Sequence, residues 1–305
     1  MVKVEKKKII KEIIRFRYIY LMLIPAILIY AVFAYGPMFG NLIAFQDFKV
    51  TKGFFDSPWV GLKHFENFFR DRNFIRTVRN TVAISLWSLV FGFPAPIILA
   101  LLLNEVKNMR FKKLVQTITY MPHFISVVTL SGLVLMFLSS DGLLNQIRML
   151  FGADPIIFMN EPSYFRLIYT LSGIWSGIGW ESIIYLSALS SVDQELYEAA
   201  AIDGAGRWKQ TFHITIPGIL PTIIIMFIMR VGNLLSVGQE KILLLYNPTI
   251  YETADVISTY VYRRGLIQAD YSYGTAISMF NSLINILLLA ITNYTSKKVS
   301  GEALW

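Results

Sequence analysis

Apolar residues in this chain come in long runs separated by short polar connections, and the length of the runs decides the class of fold. A hydrocarbon core about 30 Å thick takes roughly 20 residues of α-helix to cross. Six segments meet that demand, near residues 16–43, 80–103, 114–138, 164–189, 215–237 and 273–294. They show no long strict alternation of the barrel kind, and backbone amides in lipid must find partners, so helices are the expected solution. The pattern predicts an all-α membrane protein with six transmembrane helices.

The first run follows a basic opening, MVKVEKKKIIKEIIRFR. Tyr18 to Ala34 is long enough to span, passes Pro25 and lacks an A-x-A-like exit, so it reads as a retained helix rather than a cleaved signal. Positive charge sets the orientation. Lys3, Lys6, Lys7, Lys8, Lys11, Arg15 and Arg17 in the leader, Lys107, Arg110, Lys112 and Lys113 after the second run, and Lys297 and Lys298 in the tail fall on one side of six spans. That side is expected to be cytoplasmic, with both termini inside. The opposite loop, about 45–76, also carries Lys49, Lys52, Lys63, Arg70, Arg72 and Arg76. Its LKHFENFFRDRNFIRTV stretch puts Phe65, Phe68 and Phe69 on one helical face, which predicts an interfacial amphipathic helix. The expected organisation is a leader (1–17), a first helix with its outer loop (18–78), a membrane core (79–294) containing a cytoplasmic connection at 190–217, and a tail (295–305).

Composition agrees with this class: of 305 residues 55% are hydrophobic and 16% charged, with a mean hydropathy of +0.53. The net charge of +8 invites a nucleic-acid reading, but about half of the Lys and Arg residues flank apolar runs, where membrane orientation explains them. Nucleic acid is not an expected partner. No cysteine is present, which removes disulfides and thiolate metal sites, and His64, His123 and His213 stand apart without ligand spacing. There is no G-x-x-x-x-G-K-[ST] loop, no H-E-x-x-H and no G-x-S-x-G, so neither a P-loop ATPase nor two common hydrolase chemistries are encoded. Gly173 and Gly177 in GIWSGIG read as helix-packing positions.

One stretch interrupts the apolar pattern: EAAAIDGAGRWKQTFHITIPGILP, from Glu198 to Pro221. Asp193 suits a helix cap, YEAAAIDGAG a short helix ending at Asp203-Gly204, and RWKQTFHITI a second short helix outside the lipid, with Pro217 and Pro221 resetting the path into the fifth span. The alanines at 199, 200 and 201 let another protein's surface approach the backbone, with Glu198 and Asp203 at the rim.

This succession resembles the EAA loop of type I ABC importer permeases, the membrane subunits of binding-protein-dependent uptake systems with the MetI-like fold. The likeness extends over roughly Asn80 to Tyr294, including NTVAISL, YMPHFIS and SGIWSGIGWESIIYLSAL, while FMNEPSYFRLIY, LLYNPTIYETADVISTYVYRRGL and SSDGLLNQ are similar to the oligosaccharide and polysaccharide branch. The resemblance implies that Glu198, Ala199, Ala200, Asp203 and Gly204 couple this subunit to a separate ATPase. It further implies a second homologous permease, two ATPase subunits that bind ATP and Mg, and an extracellular solute-binding protein delivering sugar through the plasma membrane of a prokaryote. This chain itself would need no cofactor.

A sugar path needs hydrogen-bonding groups and flat aromatic surfaces. Ser278, Asn281 and Asn285 fall on one stripe of the sixth span, Arg230, Asn233 and Ser236 recur at spacings of three on the fifth, and Trp175, Trp180 and Tyr185 lie on the fourth. Interhelical bonding competes with substrate contact at Asn233 and Asn281, and packing is the expected role of Asn285. By the resemblance, substrate contacts cluster near Gly232, Asn233 and Ser236. Arg230 and Glu181 are charges at membrane depth, which makes them functional candidates unless they only pair with each other. With Arg230 on the path and Lys241, Arg263 and Arg264 around an outer mouth, the expected cargo includes acidic oligosaccharides. A secondary transporter would show inverted repeats, and a lipid-modifying enzyme clustered acids or histidines at membrane depth; neither pattern is present.

Overall fold

The computed structural model describes residues 14–305; Lys3, Lys6, Lys7, Lys8 and Lys11 of the leader lie outside the described residues. Helix α1 runs Arg17–Phe45. A short α2 (Lys63–Arg70) precedes α3 (Phe74–Glu105). Next come α4 (Met109–Phe124), α5 (Val127–Phe137), α6 (Leu143–Leu150) and α7 (Pro162–Leu189). The connection holds α8 (Gln194–Ile202) and leads into α9 (Arg207–Gly232). The segment after α9 carries α10 (Gln239–Leu245), α11 (Tyr251–Ala254) and α12 (Ile257–Val261), and the last helix is α13 (Tyr271–Ser300). Among the described residues there is no strand, only an isolated bridge between Gln46 and Trp59.

Prolines decide where the long helices widen. A π turn at Ala31–Tyr35 precedes Pro37 in α1, one at Ser88–Gly92 precedes Pro94 in α3, and one at Thr211–Thr215 precedes Pro217 in α9. Proline brings no N–H and its ring crowds the carbonyl four residues back, so a turn with one extra residue relieves the clash without ending the helix. Here the sequence expectation is corrected. Arg207–Thr215 is no separate helix but forms the first turns of α9, and Pro217 and Pro221 are absorbed within it. The fifth helix also stops at Gly232, five residues early, because the chain turns at Asn233.

The third apolar run is corrected as well. α4 and α5 meet at 105°. Pro122 sits in a tight turn at Met121–Phe124, and Ser126 starts α5 by accepting a hydrogen bond from the Thr129 amide at 3.2 Å. Helices α1, α3, α9 and α13 are long and apolar enough to cross a membrane, and the α4–α5 pair qualifies only as a bent unit. α7 has the length, 28 residues, but its serines, glycines and Glu181 dilute its hydropathy.

α7 is the centre of the bundle. Near its start Phe165 and Ile168 pack with Ile84 of α3, Val134 of α5 and Ile242 and Leu245 of α10; near its end Tyr185 and Leu189 pack with Ala100 of α3 and Ile219 of α9. The close-packing glycine is Gly179, where an added Cβ would overlap the Thr119 carbonyl of α4; Gly173 and Gly177, expected to pack, instead have Lys241 and Glu181 beside them. Between Arg17 and Met38 no side chain of α1 is buried, and only its last turns lie along α13.

α2 forms as expected, and its aromatic residues pack in part on protein. Phe68 is buried against Ile257, Tyr260, Tyr273 and Ile277, Phe69 meets Phe74 and Phe280, and Phe65 meets Phe45. The segment from α10 to α12 is held to α3 by buried polar bonds. Asp255, fully buried, accepts from Arg76 at 2.9 Å and Arg263 at 2.8 Å, while the Asn80 amide donates to the carbonyls of Glu252 and Asp255 at 2.8 and 3.1 Å.

Candidate functional site

Two places concentrate the sequence-predicted residues: the elbow between α7 and α9, and a cavity between α3, α7, α9 and α10.

At the elbow, Asp193 caps α8 by accepting from the Glu195 amide at 3.0 Å. At the other end Gly204 takes φ of 75°, and its amide donates to the Ala201 carbonyl at 3.1 Å while the Ala205 amide donates to Ala200 at 2.8 Å. That pair of bonds is a Schellman closure, which a left-handed glycine makes easy and a side chain strains. The chain then re-enters helix at Arg207. Tyr197 donates to the Thr215 hydroxyl at 3.0 Å and the Gln210 amide to the Ala205 carbonyl at 3.0 Å, so α8 is braced on α9. Glu198, Ala199, Asp203 and Gly204 are exposed and Ala200 half-buried. Ile202 beside them is 87% exposed, an apolar side chain at the tip of the elbow that the sequence reading passed over.

The cavity, about 220 Å³, is lined by Ser88 and Gly92 of α3, by Tyr169, Gly173, Ser176 and Glu181 along one face of α7, by Arg230 of α9 and by Lys241 of α10. A second space of about 250 Å³ shares Ser88, Tyr169 and Arg230 with it and continues past Ser85, Asn233 and Ser236. Arg230 and Glu181 face each other at 3.8 Å, both part-exposed. Lys241 donates to the Tyr169 carbonyl at 2.9 Å and lies 4.5 Å from the centre of the Tyr169 ring. Burial pushes its ammonium down to about 8.

The structure therefore brings together Arg230, Asn233 and Ser236, although the last two lie in a turn and not on a helical stripe. Asn285 reaches across from α13, accepting from the Leu235 amide at 3.0 Å and donating to Ser236 at 3.0 Å. Asn281 donates to the Leu235 carbonyl at 3.4 Å, and its own carbonyl oxygen is buried without a partner. Other predicted residues lie elsewhere. Gly232 packs on Leu289. Ser278 is exposed on α13 and lines neither cavity. Trp175 borders an apolar groove with Val134, Leu138 and Leu171. Trp180 stacks on His123 at 4.6 Å, beside the break between α4 and α5. Lys241, Arg263 and Arg264 do not form one ring: Lys241 enters the cavity, Arg263 binds Asp255, and Arg264 pairs with Asp270 at 3.4 Å. The sequence reading missed Ser88, Gly92 and Tyr169. The small residue Gly173, which lines the cavity on α7, was the available signal, because it keeps that face open beside Lys241.

Residues 92–301 match the family described as binding-protein-dependent transport system inner membrane component. The chain belongs to this family. The matched stretch of the permease holds the elbow and the α7, α9 and α10 walls of the cavity. Over 95% of its length the permease is 42% identical to Protein LplB of Bacillus subtilis (strain 168), covering 92% of that protein. Over 99% of its length it is 41% identical to the polygalacturonan/rhamnogalacturonan transport system permease protein YteP of the same organism, covering 95% of it. Among solved structures, it superposes with a TM-score of 0.90 on a chain of a bacterial ABC transporter involved in the import of the acidic polysaccharide alginate, at 44% identity, covering 96% of this chain and 99% of that one. A further match, with TM-score 0.90 and 43% identity, comes from a bacterial alginate ABC transporter in complex with an alginate pentasaccharide-bound periplasmic protein.

Proposed function

We propose that this permease is the membrane subunit of an ATP-driven importer that takes up acidic oligosaccharides. α1, α3, the bent α4–α5 pair, α7, α9 and α13 would be its six spans, with both termini in the cytoplasm. An extracellular solute-binding protein delivers the sugar, a second homologous permease completes the passage, and two ATPase subunits holding ATP and Mg engage the elbow at Glu198, Ala199, Ala200, Asp203 and Gly204. The observation that carries the substrate class is the hydroxyl-lined cavity in which Arg230 and Lys241 outnumber Glu181; the names of the pectin-type and alginate relatives support it. Force passes from the motor through a short stiff lever, because α8 is capped at one end, closed at the other and braced on α9. Uptake by proteoliposomes holding the whole complex tests the reading, with uronic and neutral oligosaccharides of equal length offered in competition. The uronic sugar is expected to win; equal uptake overturns the acidic assignment, and uptake by this chain alone overturns the importer.

A further inference from the structure

The two cations of the cavity are not equivalent. Arg230 already faces the Glu181 carboxylate at 3.8 Å. Among the described residues, no carboxylate pairs with Lys241. Its single hydrogen bond goes to a neutral carbonyl, that of Tyr169 at 2.9 Å, and the Tyr169 ring shields one side. An ammonium has three donors, so capacity is left over. The cavity side is kept clear by Gly173, where an added Cβ would stand 3.5 Å from the ammonium nitrogen. Tyr169 is itself fixed, its hydroxyl accepting from the Gly238 amide at 3.1 Å next to the start of α10.

Resting on the acidic-oligosaccharide reading, we infer that Lys241 is the residue that selects the sugar carboxylate, while Arg230 is held in reserve by Glu181. A half-buried cation without a counter-ion is less well stabilised than one met by an anion. An incoming uronate supplies that anion and a charge-assisted hydrogen bond at once. A neutral sugar can bond only to the surrounding hydroxyls and leaves the ammonium uncompensated. Specificity is then a difference between two cargoes of one shape, set by a single group.

The test is direct binding of a uronic trisaccharide and its carboxyl-reduced counterpart to the solubilised permease–ATPase complex, without the solute-binding protein, so that the receptor's selectivity does not enter. The wild-type complex is expected to prefer the uronic sugar. Lys241→Met should weaken uronic binding about tenfold or more and leave the reduced sugar unchanged, as loss of a hydrogen bond to a charged group predicts. Lys241→Arg, which keeps the charge on a different donor geometry, should still prefer the uronic sugar even if it binds it less well. Glu181→Gln placed on Lys241→Met should restore part of the uronic preference by releasing Arg230. If Lys241→Met keeps the wild-type preference, the assignment to Lys241 is wrong. If both sugars weaken alike, the lysine only pins α10 to α7 and the inference falls. A wild-type complex with no preference overturns the acidic reading itself, whatever the variants do.

Discussion

Gly179 of α7 lies directly against the Thr119 carbonyl of α4, so that a methyl group at this position would overlap the carbonyl and touch the Tyr120 ring. The contact fixes how near the two helices come, on the side where α4 breaks into α5.

Gly179→Ala should therefore destabilise the permease by about 1–3 kcal/mol, the usual cost of overpacking. Gly132→Ala in α5, where nothing stands within 4 Å, should be neutral or slightly stabilising, by up to about 1 kcal/mol of helix propensity. Thermal unfolding of the two variants in detergent separates them; equal melting points would show that α4 and α7 can part freely.

Gly204→Val places a β-branched side chain at φ of 75°, which disturbs the Schellman closure without touching the bundle. The variant should reach the membrane in normal amounts, hydrolyse ATP within the complex and lose most of its uptake. Parallel uptake and ATPase measurements decide the matter, and undiminished coupling would remove the elbow from the mechanism.

Asp255→Ala leaves Arg76 and Arg263 without their shared carboxylate. Breaking a buried pair at one partner costs on the order of 3–5 kcal/mol. Arg76→Met should cost less, because Arg263 still satisfies Asp255. Unfolding midpoints of both variants provide the check, with the reverse order counting against a single shared carboxylate.

Asp71 gives the fold a pH response. Burial pulls its carboxyl upward, but the Tyr260 hydroxyl, the Asn73 amide and the Tyr273 hydroxyl all donate to it and hold it below the usual carboxylate range. A depressed carboxylate contributes stability that is fully present above its unfolded value and fades as pH falls through the folded one. Wild-type protein should lose stability in that acid range, and Asp71→Asn should lose less over the same interval. Melting points taken as a function of pH would expose an Asp71 that does not matter, as two parallel curves.

What the sequence made legible was whatever is local. Apolar run length placed α1 and α7 to within two residues at both ends and α3, α9 and α13 more loosely, while Asp193 and Gly204 fell at the cap and turn that such residues favour. The bend at Pro122–Ser126 stayed hidden because hydropathy runs straight through it while only the proline and the capping serine mark the break. The clamp on Asp255 was out of reach for a different reason: Arg76 is 179 positions away from it in the chain, and no periodicity spans such a distance. In the candidate site, Arg230 and Glu181 were visible as rare charges in apolar runs. Tyr169 was not, since a tyrosine two turns into a helix looks like any other aromatic until Lys241 is found above its ring.

The widened turns ahead of Pro37, Pro94 and Pro217 each put the helix below them out of phase with the helix above by about 100°. In α3 Ser85 and Ser88, before and at the start of the widened turn, line the second space, while Ala100 and Leu103, beyond it, are buried in the interior. One unbroken rod thus shows different compass bearings at its two depths, and a repeat drawn at constant pitch through the whole span assigns one half of it to the wrong neighbours.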